Sequence, residues 1–336
     1  MKSAFPFCSV RNIFQTPEYL EAYRQFFGSG KQFHTFQSGD AQAFLMTRGK
    51  SARRLEWWGQ GIHDIGSASY ATDATAHDLW LQIENFAQSC HGAHLAQIPS
   101  DDVLIERAQQ SGWTISSAEA CPVLVLPESY EAYVKSLGKN MREQIKRYPK
   151  RLEKEFKVEY ELAQSESAVQ SALSDLFKLH GARWRQRGQT GVLATARRQK
   201  FHRAVCTSFL QKDYLRLWSL RCNGTPACVL LNYFYKGKYY FFIGGFDPDL
   251  MRWSVGTCLF AKVFQHAIEE GAKEFDFLRG EEEYKYRYGA LNRDYKTISW
   301  FAPNTRGQLL KKRVQAEESL MHRVHQMFSS AHRSKS

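Results

Sequence analysis

Several large classes of protein leave marks that this 336-residue sequence lacks. No stretch approaches 18 uncharged apolar residues, and the most apolar run, Tyr239 to Phe246, is only strand length. A membrane-spanning helix is therefore not expected. The N-terminal MKSAFPFCSVRNIF has no long apolar core before Arg11 and no small-residue cleavage pattern. We read no signal peptide and expect a cytoplasmic protein, with a peripheral contact to the inner membrane surface left open. The seven cysteines (Cys8, Cys90, Cys121, Cys206, Cys222, Cys228, Cys258) contain no C-x-x-C pair. This argues against a disulfide framework and a cysteine-based zinc site, and favours buried thiols acting as small apolar residues. His63, His77, His91 and His94 form no H-E-x-x-H pattern, so no metal is assigned. The absence of a G-x-S-x-G elbow, a P-loop and a G-x-G-x-x-G fingerprint disfavours serine hydrolases, NTPases and dinucleotide-binding enzymes.

What is present is a core-forming chain, 43% hydrophobic and 14% aromatic, with a formal charge of +12. The charge is unevenly placed. Residues 1–126 carry 9 Lys and Arg against 12 Asp and Glu, whereas residues 127–336 carry 37 against 22. Such asymmetry suggests two units, the second facing phosphates, anionic sugars or an acidic membrane surface. The alternative is a solubilising surface with no dedicated partner.

Hydrophobic periodicity gives an α+β element order, with a boundary near Pro127. A helix over 16–27 leads to strands at 32–38, 41–48 and 53–59, then a helix at 75–89, a strand at 94–98 and a helix at 101–110. Residues 113–126 read as extended. Apolar positions at Tyr130, Tyr133, Val134 and Leu137 and then at Met141, Ile145, Tyr148, Leu152 and Phe156 mark two helices. Pro149 predicts a kink or break in the second, since an interior proline costs about 3 kcal/mol. Strand 156–163 and helices 167–187 and 196–211 precede an antiparallel meander at 215–222, 227–235 and 238–246, turned through Asn223-Gly224 and Lys236-Gly237. Helix 256–270, strands 274–278 and 294–302, and a helix over about 305–328 complete the chain.

The richest segment is Tyr239 to Gly289. An apolar strand ends at Gly244-Gly245, and a loop bearing Arg252 delivers Ser254-Val255-Gly256-Thr257 at a helix start. Ser254 reads as the N-cap, and Gly256 would let backbone N–H groups approach an anion favoured by the helix's positive end. Arg252 could add a charge-assisted contact. In Glu274-Phe-Asp-Phe-Leu278 the phenylalanines share one face and Asp276 takes the other, where it lines a site or caps a turn. The run Glu282–Gly289 alternates Tyr284, Tyr286 and Tyr288 with Glu283, Lys285 and Arg287, as in a half-buried strand.

F-D-F-L-x-G-x-E-x-Y-K-x-R-Y-G, following G-x-x-L-x-x-x-x-x-x-x-A-x-x-x-G, resembles the acetyltransferase-like family often found with bacterial cellulose and exopolysaccharide biosynthesis proteins. That family is a branch of the GNAT superfamily related to FemAB-type enzymes. The resemblance also covers S-L-G-K-N-M-R-E-Q-I-K-R-Y-P-K-R-L-E-K-E at Ser136–Glu155, and spans about residues 127–303. In the first part it rests on loose element order and on Gly59-x-Gly61-x-x-Asp64.

The resemblance implies a tandem GNAT-like fold of two mixed sheets with flanking helices. Its halves would be 1–126 and 127–303, with 304–336 as a C-terminal helix and loose tail. It further implies an acyl-CoA-dependent N-acyltransferase, moving an acetyl or other acyl group to an amine of an envelope or exopolysaccharide precursor, the acceptor being an anionic sugar or similar group. Donor contacts would come from Phe242, Gly244, Gly245, Arg252, Ser254, Gly256 and Thr257, although R-W-S-V-G-T departs from the superfamily's Q/R-x-x-G-x-G/A loop. Asp276, Glu281 and Glu282 are candidate bases, Tyr284 and Tyr288 candidate acids, and Lys285 a group that orients an anion. A FemAB-like transferase using charged tRNA is the first alternative, and a non-catalytic anion- or glycan-binding module the second.

Two basic concentrations bear on the acceptor. Residues 139–157 hold eight Lys and Arg, including Arg142, against three glutamates, and residues 176–212 hold nine and no acid. Arg183, Trp184 and Arg187 from the second are candidate acceptor contacts, with Trp184 either stacking on a sugar or base or packing in the core. His180, on an apolar helical stripe, reads as a core residue.

Overall fold

Two compact units make up this computed structural model, which describes residues 10–186 and 188–333, with side chains to residue 320. The first unit holds the chain up to Cys121, Arg279–Glu282, and the chain from Asn292 onward; the second holds Pro122–Leu278 and Glu283–Leu291.

The chain runs α1 (Pro17–Phe27), β1 (Lys31–Ser38), β2 (Ala41–Arg48), β3 (Arg54–Trp57), α2 (Asp73–Gln88), β4 (Gly92–Pro99), α3 (Val103–Gln110) and β5 (Thr114–Ser117). Next come β6 (Cys121–Val125), α4 (Tyr130–Ser136), α5 (Lys139–Glu155), β7 (Val158–Leu162), α6 (Glu166–Arg185), α7 (Ala196–Gln211), β8 (Leu215–Cys222), β9 (Thr225–Tyr235) and β10 (Lys238–Phe246). It ends with α8 (Val255–Glu269), β11 (Glu274–Asp276), α9 (Glu283–Arg287), β12 (Leu291–Arg293), β13 (Tyr295–Phe301) and α10 (Thr305–Arg333). The fold is mixed α/β with two mixed sheets, ordered β1-β2-β3-β4-β13-β5 and β12-β6-β11-β10-β9-β8-β7. Both sheets contain a parallel pair, β3 with β4 in the first and β10 with β11 in the second.

Four expectations from the sequence need correction. Residues 113–126 are not one strand, because β5 and β6 belong to different sheets. Past β5 the Ala118 N–H donates to the Tyr295 carbonyl and the Glu119 N–H turns to Gln97 Oε1, so the ladder ends there. Strand 295–301, assigned to a half ending at 303, instead lies between β4 and β5, with Ile298 opposite Leu95 and Ile115. Ile298 is fully buried there, and no local sequence signal tells a strand which sheet to join. The C-terminal helix is no separate piece, since Glu317 reaches the buried Arg54 of the first sheet at 2.9 Å. Finally, α5 runs unbroken through Pro149. Ile145 and Leu152, both buried, anchor it on either side. At roughly 1.5–3 kcal/mol each, they offset the cost of the missing hydrogen bond.

The meander forms as its turn residues dictate. Asn223 and Gly224 have φ of +50° and +77°, and Lys236 and Gly237 +51° and +72°, the pair of positive values a two-residue hairpin turn requires. One face of the second sheet is covered by α8, α5 and α4, where Phe260 and Phe264 pack on Phe241, Phe275, Phe277 and Tyr288. The other is covered by α6 and α7, whose Phe209 meets Tyr233. The two basic concentrations, on α5 and on α6–α7, thus lie on opposite faces of one sheet.

Candidate active site in the second unit

At the centre of the second sheet two parallel strands part. β10 pairs with β9 along its length, apart from a register shift between Phe241 and Ile243 that leaves Phe242 as a bulge. Toward β11 it pairs only over Lys238–Tyr240, ending at Tyr240 opposite Asp276. There β11 stops: Leu278 takes a φ of +56°, and its N–H donates to Asp276 Oδ1 at 2.8 Å. The Phe277 N–H turns the other way, to the Pro122 carbonyl. On the side facing β11, no strand among the described residues continues beside β10 past Tyr240.

The chain leaves β10 through a 3₁₀ turn, Pro248–Trp253, and enters α8. Ser254 stands at the N-cap position, but in the left-handed region (φ +55°) and without a side-chain cap bond, so the expected hydroxyl cap is absent. The helix is closed instead by the Cys258 N–H on the Ser254 carbonyl at 3.1 Å. Gly256 has ordinary helical dihedrals, and a Cβ built on it meets nothing within 4 Å. Neither packing nor backbone geometry asks for glycine there. Arg252 stacks on Trp253 at 5.3 Å, and Arg151 from α5 stacks on the same ring at 4.6 Å. Arg151 also donates to the Arg252 carbonyl at 2.7 Å. Two guanidiniums therefore flank a helix start whose first-turn N–H groups have no intrahelical acceptors.

Beyond β11, the alternating Tyr and charge pattern at 282–289 is not a strand. Residues Glu283–Arg287 form the short helix α9, so Lys285 turns inward to 2% exposure, its Nζ 3.4 Å from the Leu278 carbonyl. Tyr284 joins the rings of Phe260 and Phe277. Tyr288, buried and held protonated well above the usual phenol range by that burial, places its hydroxyl 3.4 Å from Thr257 Oγ1 on the first turn of α8. Asp276 is fully buried, with Oδ1 committed to the Leu278 turn.

The second unit thus contains Asp276, Tyr284, Lys285, Phe242, Gly244, Gly245, Arg252, Ser254, Gly256 and Thr257. Glu281 and Glu282 belong to the first, where Asn292 Nδ2 donates to Glu281 Oε1 at 2.9 Å. The first unit also shows a pair that sequence reasoning missed: Arg279 Nε contacts Asp64 Oδ1 at 2.6 Å, and this carboxylate raises the guanidinium's pKa. Both residues lie in quoted motifs, but a separation of 215 residues hides their partnership.

On the α6–α7 face, Gly245 has a packing role. A Cβ there would lie 2.9 Å from the His180 backbone nitrogen and 3.1 Å from the Leu176 carbonyl, so the glycine lets α6 settle on β10. Gly244 faces the Leu230 side chain. Trp184 Nε1 donates to His180 Nε2 at 2.8 Å, which ties the indole into the packing and fixes the His180 proton on Nδ1. Burial lowers the His180 pKa to about 4 and that of His202, 5.1 Å from the Phe242 ring, to about 3. Arg183 lies over Phe246 at 4.5 Å, and Arg142 Nη2 donates to the Leu137 carbonyl at 2.8 Å. Arg187 is outside the described residues.

Residues 139–286 match the family described as acetyltransferase (GNAT) domain. This region is a GNAT-superfamily domain. The parted strands, and a helix start directly after the first of them, are where the resemblance places a GNAT donor. FemX aligns with 90% of this chain and 94% of its own at a TM-score of 0.66 and 9% identity. The C-terminal domain of a putative lysylphosphatidylglycerol synthetase from Agrobacterium fabrum aligns at 0.58 and 13%, covering 88% and 91% of the two chains. L-PGS from Bacillus licheniformis aligns at 0.57 and 14%, covering 86% and 93%. At these identities the likeness establishes a shared FemX-like, GNAT-related fold. No curated protein matches the sequence.

Proposed function

We propose that the protein is an acyl-CoA-dependent N-acyltransferase acting on an amine of an envelope or exopolysaccharide precursor. The observation that carries this reading is the parting of β10 from β11 after Tyr240, with an open glycine, Gly256, in the first turn of the helix that follows. The donor's amide-bearing arm would lie along Phe241–Phe246, and its phosphates on the Val255–Thr257 N–H groups beside Arg252.

In the reaction the acceptor nitrogen attacks the thioester carbonyl carbon, the C–S bond breaks, and the thiolate leaves and takes a proton. An N–H from the Phe242–Gly245 segment would support the oxyanion, and the buried Lys285, against the Leu278 carbonyl just after β11, would lower the cost of negative charge nearby. Tyr288, kept protonated and reaching Thr257 on the first turn of α8, would supply the thiolate's proton, with Tyr284 as the other candidate acid. Asp276 acts by positioning, because it braces the turn that ends β11. Proton removal from the amine falls to solvent water.

The second reading, an aminoacyltransferase using charged tRNA, is supported by the fold shared with FemX and the lysylphosphatidylglycerol synthetase domains. Calorimetry with acetyl-CoA and longer acyl-CoAs separates the two. Saturable heat with any thioester is expected. No heat, together with salt-sensitive binding of charged tRNA, would move the assignment to the second reading.

A further inference from the structure

Helix α5 carries more charge than its packing role explains. Seventeen residues long, about 25 Å, it holds seven Lys and Arg and three Glu. Met141, Ile145 and Leu152 face the core, while all seven cations, among them Lys146, Arg147, Lys150 and Lys154, are exposed on the opposite side. None of the seven forms an ion pair among the described residues. Like charges at i, i+3 and i, i+4 repel, so such a row weakens the free helix. Just beyond it, in the turn that Arg151 grips through the Arg252 carbonyl, Met251 is 61% exposed.

We propose that the solvent face of α5, with Met251 beside it, is a docking surface for an anionic lipid bilayer. The solvent side of α5 carries seven cations against three exposed glutamates, a net positive helix face that matches a flat anionic surface, and a neighbouring apolar side chain can enter the headgroup layer. A single-stranded nucleic acid would need a groove with open aromatic faces for its bases. Here the nearby rings are already covered: Tyr148 by Arg147 at 5.5 Å, and Trp253 by Arg151 and Arg252. The inference does not depend on the donor being acyl-CoA. It would hold the second unit at the surface where a lipid-linked acceptor resides.

The test is co-sedimentation of the full chain with vesicles of phosphatidylcholine containing 30% phosphatidylglycerol, and with phosphatidylcholine alone. Binding to the anionic vesicles only, weakened by raising NaCl from 50 to 300 mM, is expected. The triple variant K146E/R147E/K150E should lose at least a hundredfold in vesicle affinity, given that each cation near such a surface contributes about fivefold, while its melting temperature stays within a few degrees of wild type. Should that variant fail to fold, K146Q/K150Q is expected to lose at least tenfold. Equal binding to both vesicle types, or unchanged anionic-vesicle binding by the folded variant, would overturn the proposal. So would tRNA binding that the variant loses in the absence of any vesicle binding by wild type.

Discussion

Replacing Gly256 by alanine separates what the fold needs from what a donor would need. A glycine inside a helix costs roughly 0.5–1 kcal/mol relative to alanine. The space around Gly256 is open, so the added methyl incurs no clash to cancel that gain. Gly256→Ala should therefore raise stability by about 0.5 kcal/mol, moving the melting temperature up by about 1–2 °C. At the donor site the sign reverses. The methyl would stand where a phosphate oxygen must come within about 3 Å of the first-turn N–H groups. Losing one or two charge-assisted hydrogen bonds, roughly 1.5–3 kcal/mol, lowers donor affinity by about 10- to 100-fold. Differential scanning calorimetry and titration of the donor on one protein preparation read both effects. A variant as stable as wild type or better, with undiminished donor affinity, would refute the placement of the donor phosphate at the start of α8.

Other substitutions probe the neighbouring parts. Gly245→Ala should destabilise the second unit by about 1–3 kcal/mol, because backbone atoms of α6 occupy the space of the new Cβ and cannot move alone; an unchanged urea midpoint would contradict that. Lys285→Met keeps the buried stem but removes the charge, and turnover should fall about 10²- to 10³-fold with the circular dichroism spectrum retained. Wild-type turnover by this variant would remove Lys285 from the mechanism. His180 and His202 are neutral in the folded state, with pKa values lowered to about 4 and about 3. Lowered pKa values mean that the unfolded chain binds protons first, so their contribution is complete above pH 6.5 and is lost as pH falls toward 4. The slope approaches about 1.4 kcal/mol per pH unit for each ring. His202→Phe should flatten urea stability between pH 6.5 and 4.5, and an unaltered slope would show that His202 is already charged.

The sequence by itself determined those features whose causes are local. The meander was legible because Asn-Gly and Lys-Gly accept positive φ between β-rich runs, and α8 because its apolar residues recur with helical spacing and end at Gly271. The GNAT motif followed from residues close enough in sequence to be read together. What only the tertiary structure decided involves partners far apart. Strand 295–301 could lie in either sheet, and its pairing with β4 and β5 chooses the first. The Tyr and charge alternation at 284–288 suits a strand, yet Glu283–Arg287 form a helix that buries Lys285, and Tyr288 just after it packs on Phe277 and Phe264. Gly245 and Gly256 look alike in a sequence, as small residues beside a predicted donor loop. One is required by a backbone 2.9 Å away and the other by nothing in the fold, a difference set by packing in three dimensions.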